Sequence, residues 1–179
     1  MNHSVSPKRA LQTATALLLG ALATAPWVAQ AQNKAPAVNI SDGVVKMGLL
    51  LDMSSLYEEV TGMGTVTAVK MAIEDFGGKV HGMPIEVLYA DHQNKADLAG
   101  SKAREWFDAQ KVDMIGDVAA SATALAAAEV ARQKNKVIIM SGPGTSRLTN
   151  ENCSPVSVHY AWDTYALSAV TGQIVRAHV

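Results

Sequence analysis

Val112 to Met140 reads VDMIGDVAASATALAAAEVARQKNKVIIM, and this stretch decides the fold. Val112 to Val118 is a mainly apolar run short enough for one strand. Ser121 to Lys134 is an alanine-rich helix, with Ser121 placed to cap it. Lys136 to Met140 is a second apolar run. A strand, a helix of more than ten residues and another strand make a right-handed crossover between parallel neighbours.

The same alternation extends in both directions. Val44 to Leu51 (VVKMGLLL) is nearly continuous in apolar residues, as expected of a strand covered on both faces. Val66, Val69, Ile73 and Phe76 recur at helical spacing, and Gly77-Gly78 stops that helix. Pro84 to Ala90 is a strand. Ala96 to Gln110 is a helix with Ala99, Ala103, Trp106 and Phe107 facing inward. Downstream, Val156 to Tyr160 is a short fifth strand and Thr164 to Arg176 a final helix. The fold class is therefore α/β, a doubly wound parallel sheet without internal repeats or a low-complexity linker.

The chain has 179 residues. Met1 to Ala31 has the form of a cleavable export signal: basic Lys8 and Arg9, an apolar run from Ala10 to Ala25, and Ala29-Gln30-Ala31 as the small-x-small site. Cleavage is expected after Ala31, placing residues 32–179 in a periplasm. Lys8 and Arg9 are the only charged residues of that segment. Of 15 basic residues, 13 therefore remain against 16 acidic ones, a net charge of −3. That balance gives no reason to expect nucleic acid as a partner. Cys153 is the only cysteine, read either as a buried, inert thiol or as one whose partner lies outside this chain. No Cys or His cluster has the spacing of a zinc site.

In open parallel sheets, ligands bind beyond the carboxyl ends of the strands. This rule singles out Asp52 to Tyr57, Ala119 to Ser121, Ser141 to Ser146 and Tyr160 to Asp163, loops rich in hydroxyls, glycine and aromatic rings. The second of these runs into a helix N-terminus, whose free N–H groups favour an anion. Ser121 either donates to that anion or simply caps the helix, and capping is the general preference of serine there. Asp91 and His92 are adjacent on a strand and point to opposite faces, which favours a structural loop over a joint metal or acid/base site. Gly142-Pro143-Gly144 lacks the third glycine of a dinucleotide loop and follows the wrong strand. No nucleophile elbow or cofactor motif is present, so an enzyme is not expected.

The string VKMGLLLDMSSLYEEVTGMGTVTAVKMAIEDFGGKVHGMPIEVLYADHQNKADLA, with KVIIMSGPGTSRLT and CSPVSVHYAWDTYALS further on, resembles the type I periplasmic binding proteins. The resemblance is to the branched-chain amino-acid and amide branch that feeds ABC uptake transporters, and it extends to about Thr171. It implies a two-lobed clamshell that closes on a small solute and docks on a membrane permease, with no cofactor. Thr145 matches the threonine that hydrogen-bonds the ligand, and Pro143 and Gly144 fall where backbone groups do so. Ala120 stands where the family often has Ser or Thr, which removes a hydroxyl, and Ser121 follows it. Ser54 and Tyr57 match the loop lining the pocket mouth. Tyr160 and Trp162 resemble pocket walls suited to a larger or aromatic acid.

The resemblance thus implies that residues 32–179 form the N-terminal ligand-binding lobe of a periplasmic-binding-protein clamshell. The second lobe is absent, and the chain reads as a truncated form. The expected function is that of an extracytoplasmic solute-binding component for amino acids, amides or related small carboxylates. The alternatives are a periplasmic sensor or interaction module built on the same lobe, and a non-functional gene fragment.

Overall fold

The computed structural model describes residues 42–177. The expected signal segment, its cleavage site and most of the leader that follows lie outside the described residues. Six strands form one sheet in the order β2-β3-β1-β4-β5-β6. The strands are β1 (Val45–Leu51), β2 (Lys79–Val80), β3 (Met83–Asp91), β4 (Met114–Gly116), β5 (Val137–Met140) and β6 (Ser157–His159). The helices are α1 (Gly62–Asp75), α2 (Ala96–Glu105), α3 (Ser121–Lys134) and α4 (Thr164–Ala177).

β1 is central because its apolar run is buried on both sides. It pairs in parallel with β3, from Val45 opposite Ile85 to Leu51 opposite Asp91, and with β4, where Gly48 faces Ile115. Leu50 belongs to the larger core, with Ala99 and Trp106 on one side and Ala124, Ala127 and Ala131 of α3. Leu49 and Leu51 turn to the other face and pack with Val66 of α1. Helices on both faces of a parallel-dominated sheet confirm the doubly wound α/β reading, in the form of a single lobe.

Four details depart from the sequence reading. First, the sheet is not wholly parallel: β2 pairs antiparallel with β3 through a hairpin. His81 and Gly82 hold φ of 49° and 82°, the paired left-handed geometry of a two-residue turn. Two strand residues are too few to leave an alternating pattern. Second, the stretch from Ala96 to Gln110 is not one α-helix. After Glu105 the chain widens into a π-helical turn, Trp106–Gln110, which carries the buried Trp106 beneath Gly48. Third, Ser121 does not cap α3. The cap position is Ala120, extended at φ −85° and ψ 140°, and no side chain bonds the free amides there. Fourth, exposure differs at two positions: Phe76, which shares the helical spacing of Val66, is exposed, and Cys153 is an exposed free thiol, which removes the buried-thiol alternative.

Other boundaries hold closely. Gly77 and Gly78 end α1 with φ of 92° and 70°, returning N–H groups to Glu74 and Ile73 carbonyls. Asn135 closes α3 in the left-handed region, at φ 52°. β4 is shorter than Val112 to Val118 because Asp117, at φ 50°, turns the chain out of the sheet.

Candidate functional site

The carboxyl ends of β1, β4, β5 and β6 open onto one edge of the sheet. The loop after β1 is shaped by Asp52, a fully buried carboxylate. It accepts the Ser55 N–H at 3.0 Å, the Ser55 hydroxyl at 2.6–2.8 Å and the Tyr57 N–H at 2.9 Å. An Asp that collects donors from residues just ahead of it fixes a tight loop. Burial is the largest influence on this carboxyl and pushes it up, but the hydrogen bonds from Ser55, Tyr57 and Ser54 together outweigh it. Asp52 is thus held below the ordinary carboxylate range. Thr61 completes the clamp, donating its hydroxyl to the Asp52 carbonyl at 3.0 Å and accepting the Asp52 N–H at 3.2 Å.

Asp91, at the end of β3, holds the other side of this loop. It accepts the Ser54 hydroxyl at 2.5 Å, the Met53 N–H at 3.0 Å and the Gln93 N–H at 2.8 Å. Burial again raises this carboxyl, and the Ser54, Met53 and Gln93 bonds lower it further than burial raises it. The Ser54 hydroxyl is therefore committed to the scaffold. His92, fully buried, accepts the Asn94 N–H on Nδ1 at 3.0 Å. Asp91 and His92 thus serve separate loop contacts.

Between these loops lies an open hollow of about 430 Å³. Tyr57, Val60 and Trp162 give it apolar walls, and Thr61, Thr65, Asp117 and Ser141 give it polar groups. Ala119 and Gly142 complete the lining, and they are close: a Cβ on Gly142 would lie 2.9 Å from the Ala119 Cα. Asp117 ties three elements together. Its N–H donates to the Ile139 carbonyl of β5 at 2.9 Å. Its carboxylate accepts the Thr65 hydroxyl of α1 at 2.9 Å and the Ser141 hydroxyl after β5 at 2.5 Å. A second hollow, of about 300 Å³, lies against α3 beside Cys153 and Arg132, away from the strand-end loops.

Of the residues singled out from the sequence, Tyr57 and Trp162 line the hollow. Gly144 lies beside it, since a Cβ there would be 3.7 Å from the Trp162 indole nitrogen, and its carbonyl accepts the Thr164 N–H at 2.6 Å. The Pro143 carbonyl bonds His159 Nε2 at 2.5 Å. Thr145 precedes a short 3-10 turn, Ser146–Leu148, and accepts the Arg147 N–H at 3.4 Å. Ala120 and Ser121 open α3, whose first paired amide is that of Ala124, leaving those of Ser121, Ala122 and Thr123 without a helical acceptor. Tyr160 is 80 % exposed and outside the lining, as is Ser54. The sequence reading overlooked Asp117 and Thr65, and it named Ser141 only as part of the loop after β5. Asp117 sat inside an apparent strand, and only its contact with α1 reveals it.

A periplasmic binding protein family model matches residues 44–178. A periplasmic binding protein from Burkholderia mallei is 54% identical, with a TM-score of 0.69, over 73% of this chain and 36% of that one. A branched-chain amino-acid ABC transporter periplasmic ligand-binding protein from Burkholderia xenovorans is 37% identical, with a TM-score of 0.69, over 74% of this chain and 36% of that one. A solute-binding protein of an ABC transporter from Rhodopseudomonas palustris, solved with 3,4-dihydroxybenzoic acid, is 31% identical, with a TM-score of 0.62, over 68% and 32%. Comparison with curated protein sequences returned no match. The strand-end hollow lies at the carboxyl edge of a doubly wound α/β sheet of one lobe. The chain belongs to the periplasmic binding protein family, and it spans about a third of the length of these solved relatives.

Proposed function

We propose that this chain acts as an extracytoplasmic solute-binding component of an ABC uptake system for amino acids, amides or related small carboxylates. The observation that carries the proposal is the hollow at the strand ends, lined by Tyr57 and Trp162 and by the polar Thr61, Thr65, Asp117 and Ser141. A pocket with apolar walls and few polar groups, at the carboxyl edge of a parallel sheet, is where small solutes bind in such folds. The relatives from Burkholderia xenovorans and Rhodopseudomonas palustris, one described as a branched-chain amino-acid binding protein and one holding an aromatic acid, support that class. Under this reading residues 32–179 form the ligand-binding lobe, exported with cleavage after Ala31, and the macromolecular partner is a membrane permease. In this reading Ala120, Ser121, Pro143, Gly144 and Thr145 supply backbone and hydroxyl contacts to the solute. Ser54 and Tyr57 belong to the loop at the pocket mouth, and Tyr160 and Trp162 are aromatic walls.

A thermal-shift screen of the purified chain against amino acids, amides and aromatic carboxylates tests the proposal. Binding to the folded state raises the midpoint by mass action. One chemical class should raise it, and the rise should disappear in Trp162→Ala. A cooperative transition that no solute moves would overturn the reading.

A further inference from the structure

The polar corner of the hollow has a directional chemistry. The Asp117 carboxylate oxygens offer two acceptor positions each, and Thr65 and Ser141 fill one on each oxygen. Both hydroxyls commit their only proton to Asp117, so their own oxygens remain as acceptors. The corner therefore presents four side-chain oxygens that can accept, and both of its hydroxyl protons are already given to Asp117. No Lys, Arg or His lines the hollow, and Asp117 enters none of the ion pairs among the described residues. Asp117 sits at φ 50°, a left-handed position that aspartate and asparagine occupy more readily than most side chains.

We propose that Asp117 is the specificity-determining residue of the hollow: with Thr65 and Ser141 it forms a corner that receives a protonated nitrogen of the solute. This rests on the solute-binding reading above and narrows it. A primary ammonium carries three donors and one positive charge, which matches the free acceptor positions and neutralises the half-buried carboxylate. The rings of Tyr57 and Trp162 line the same hollow, and an aromatic ring attracts a cation placed over its face. A solute carboxylate placed in this corner would meet the like charge of Asp117 and two hydroxyls whose protons are already committed. An acidic solute is thereby turned so that its anionic end points away from Asp117.

The probes are benzylammonium and benzoate, which share a ring and differ in the charged group. They are titrated into the isotope-labelled full chain and followed by amide NMR shifts. Benzylammonium should move the Thr65, Asp117 and Ser141 amides at concentrations about tenfold below those at which benzoate does, the ratio that one charge-assisted hydrogen bond supplies. Asp117→Asn keeps a residue that tolerates the same φ and removes the charge, so benzylammonium should bind it about tenfold more weakly. Benzoate acting on these amides as well as benzylammonium does would overturn the assignment while leaving the solute-binding reading intact. If neither probe moves any amide around the hollow, the assignment to Asp117 fails, and the solute-binding reading stands or falls on the thermal-shift screen. The comparison of probes in the unchanged protein decides the question even where the variant does not fold.

Discussion

Gly48 lies in the middle of β1 with the Trp106 indole where a side chain would stand. A Cβ at Gly48 would fall 2.5 Å from Trp106 Cε3 and 2.6 Å from Cζ3. The indole belongs to a residue only 2% exposed, packed within the larger core. Gly48→Ala should therefore cost about 1–3 kcal/mol as overpacking, seen as a lower urea midpoint at unchanged slope. His92 gives a second prediction at this scale. Its Nε2 is buried without a hydrogen-bond partner among the described residues, while Nδ1 accepts from Asn94. Burial depresses its pKa, opposed in part by the negative charges of Asp52, Asp91 and Asp117. The folded state thus holds His92 neutral, and the unfolded chain takes up a proton first as pH falls below the usual histidine value of about 6.5. Stability from this residue is complete above that pH and declines below it. The Asp52 and Asp91 contributions, from depressed carboxyls, persist until pH falls below the ordinary aspartate value of about 3.9 and are lost from there downward. Unfolding free energies at pH 7.5 and 5 should show the loss in the parent chain and a smaller loss in His92→Gln. At this scale much of the site was hidden in the sequence. Thr65 and Ser141 are ordinary hydroxyls until the fold brings them to Asp117, and a left-handed aspartate inside VDMIGDV leaves no periodic mark.

The elements themselves were largely legible, because the central strand is a continuous apolar run and the helices Ala96–Glu105 and Ser121–Lys134 bury alanines at helical spacing. What escaped was what lacks length or periodicity. β2 has two residues, the π-helical turn preserves helical spacing while displacing Trp106, and the alanine before Ser121 occupies a cap position that favours polar side chains. Glycines inside helices show how context decides a substitution's sign. Gly64 is exposed within α1, and a Cβ there would meet nothing within 4 Å. Gly64→Ala should then stabilise by roughly 0.5–1 kcal/mol through the reduced freedom of the unfolded chain, visible as a higher thermal midpoint. The contrast with Gly48→Ala is one of space, not of residue type. A fall in the midpoint for Gly64→Ala would show that α1 needs a glycine near its start for a reason beyond helix propensity.

Across the whole molecule, alternation of strands and helices was enough to give the doubly wound sheet and to point to its carboxyl edge, since both follow from chain-wide rules rather than from single side chains. Exposure across that surface is less readable, because a helix with one apolar stripe looks the same in sequence whether or not anything covers it. α4 shows this: none of its residues is buried, and Leu167 and Val170 are 48% and 57% exposed. Together with Trp162, Ala166 and Thr171 they outline an almost wholly apolar hollow of about 240 Å³. Contiguous apolar surface of this kind favours association in water. The purified chain should therefore self-associate as its concentration rises, with a larger sedimentation coefficient at high than at low loading. Leu167→Glu combined with Val170→Lys places charge on that surface without touching the sheet, and should shift the population toward monomer at unchanged thermal midpoint. A chain that stays monomeric at every loading would mean that the stripe on α4 is too narrow to hold two copies together. A double variant that associates as strongly as its parent would place the contact elsewhere, on the exposed Leu56 and Val60 near the strand-end hollow. In that case the same surface would serve both association and solute entry, and solute at saturating concentration should dissociate the oligomer.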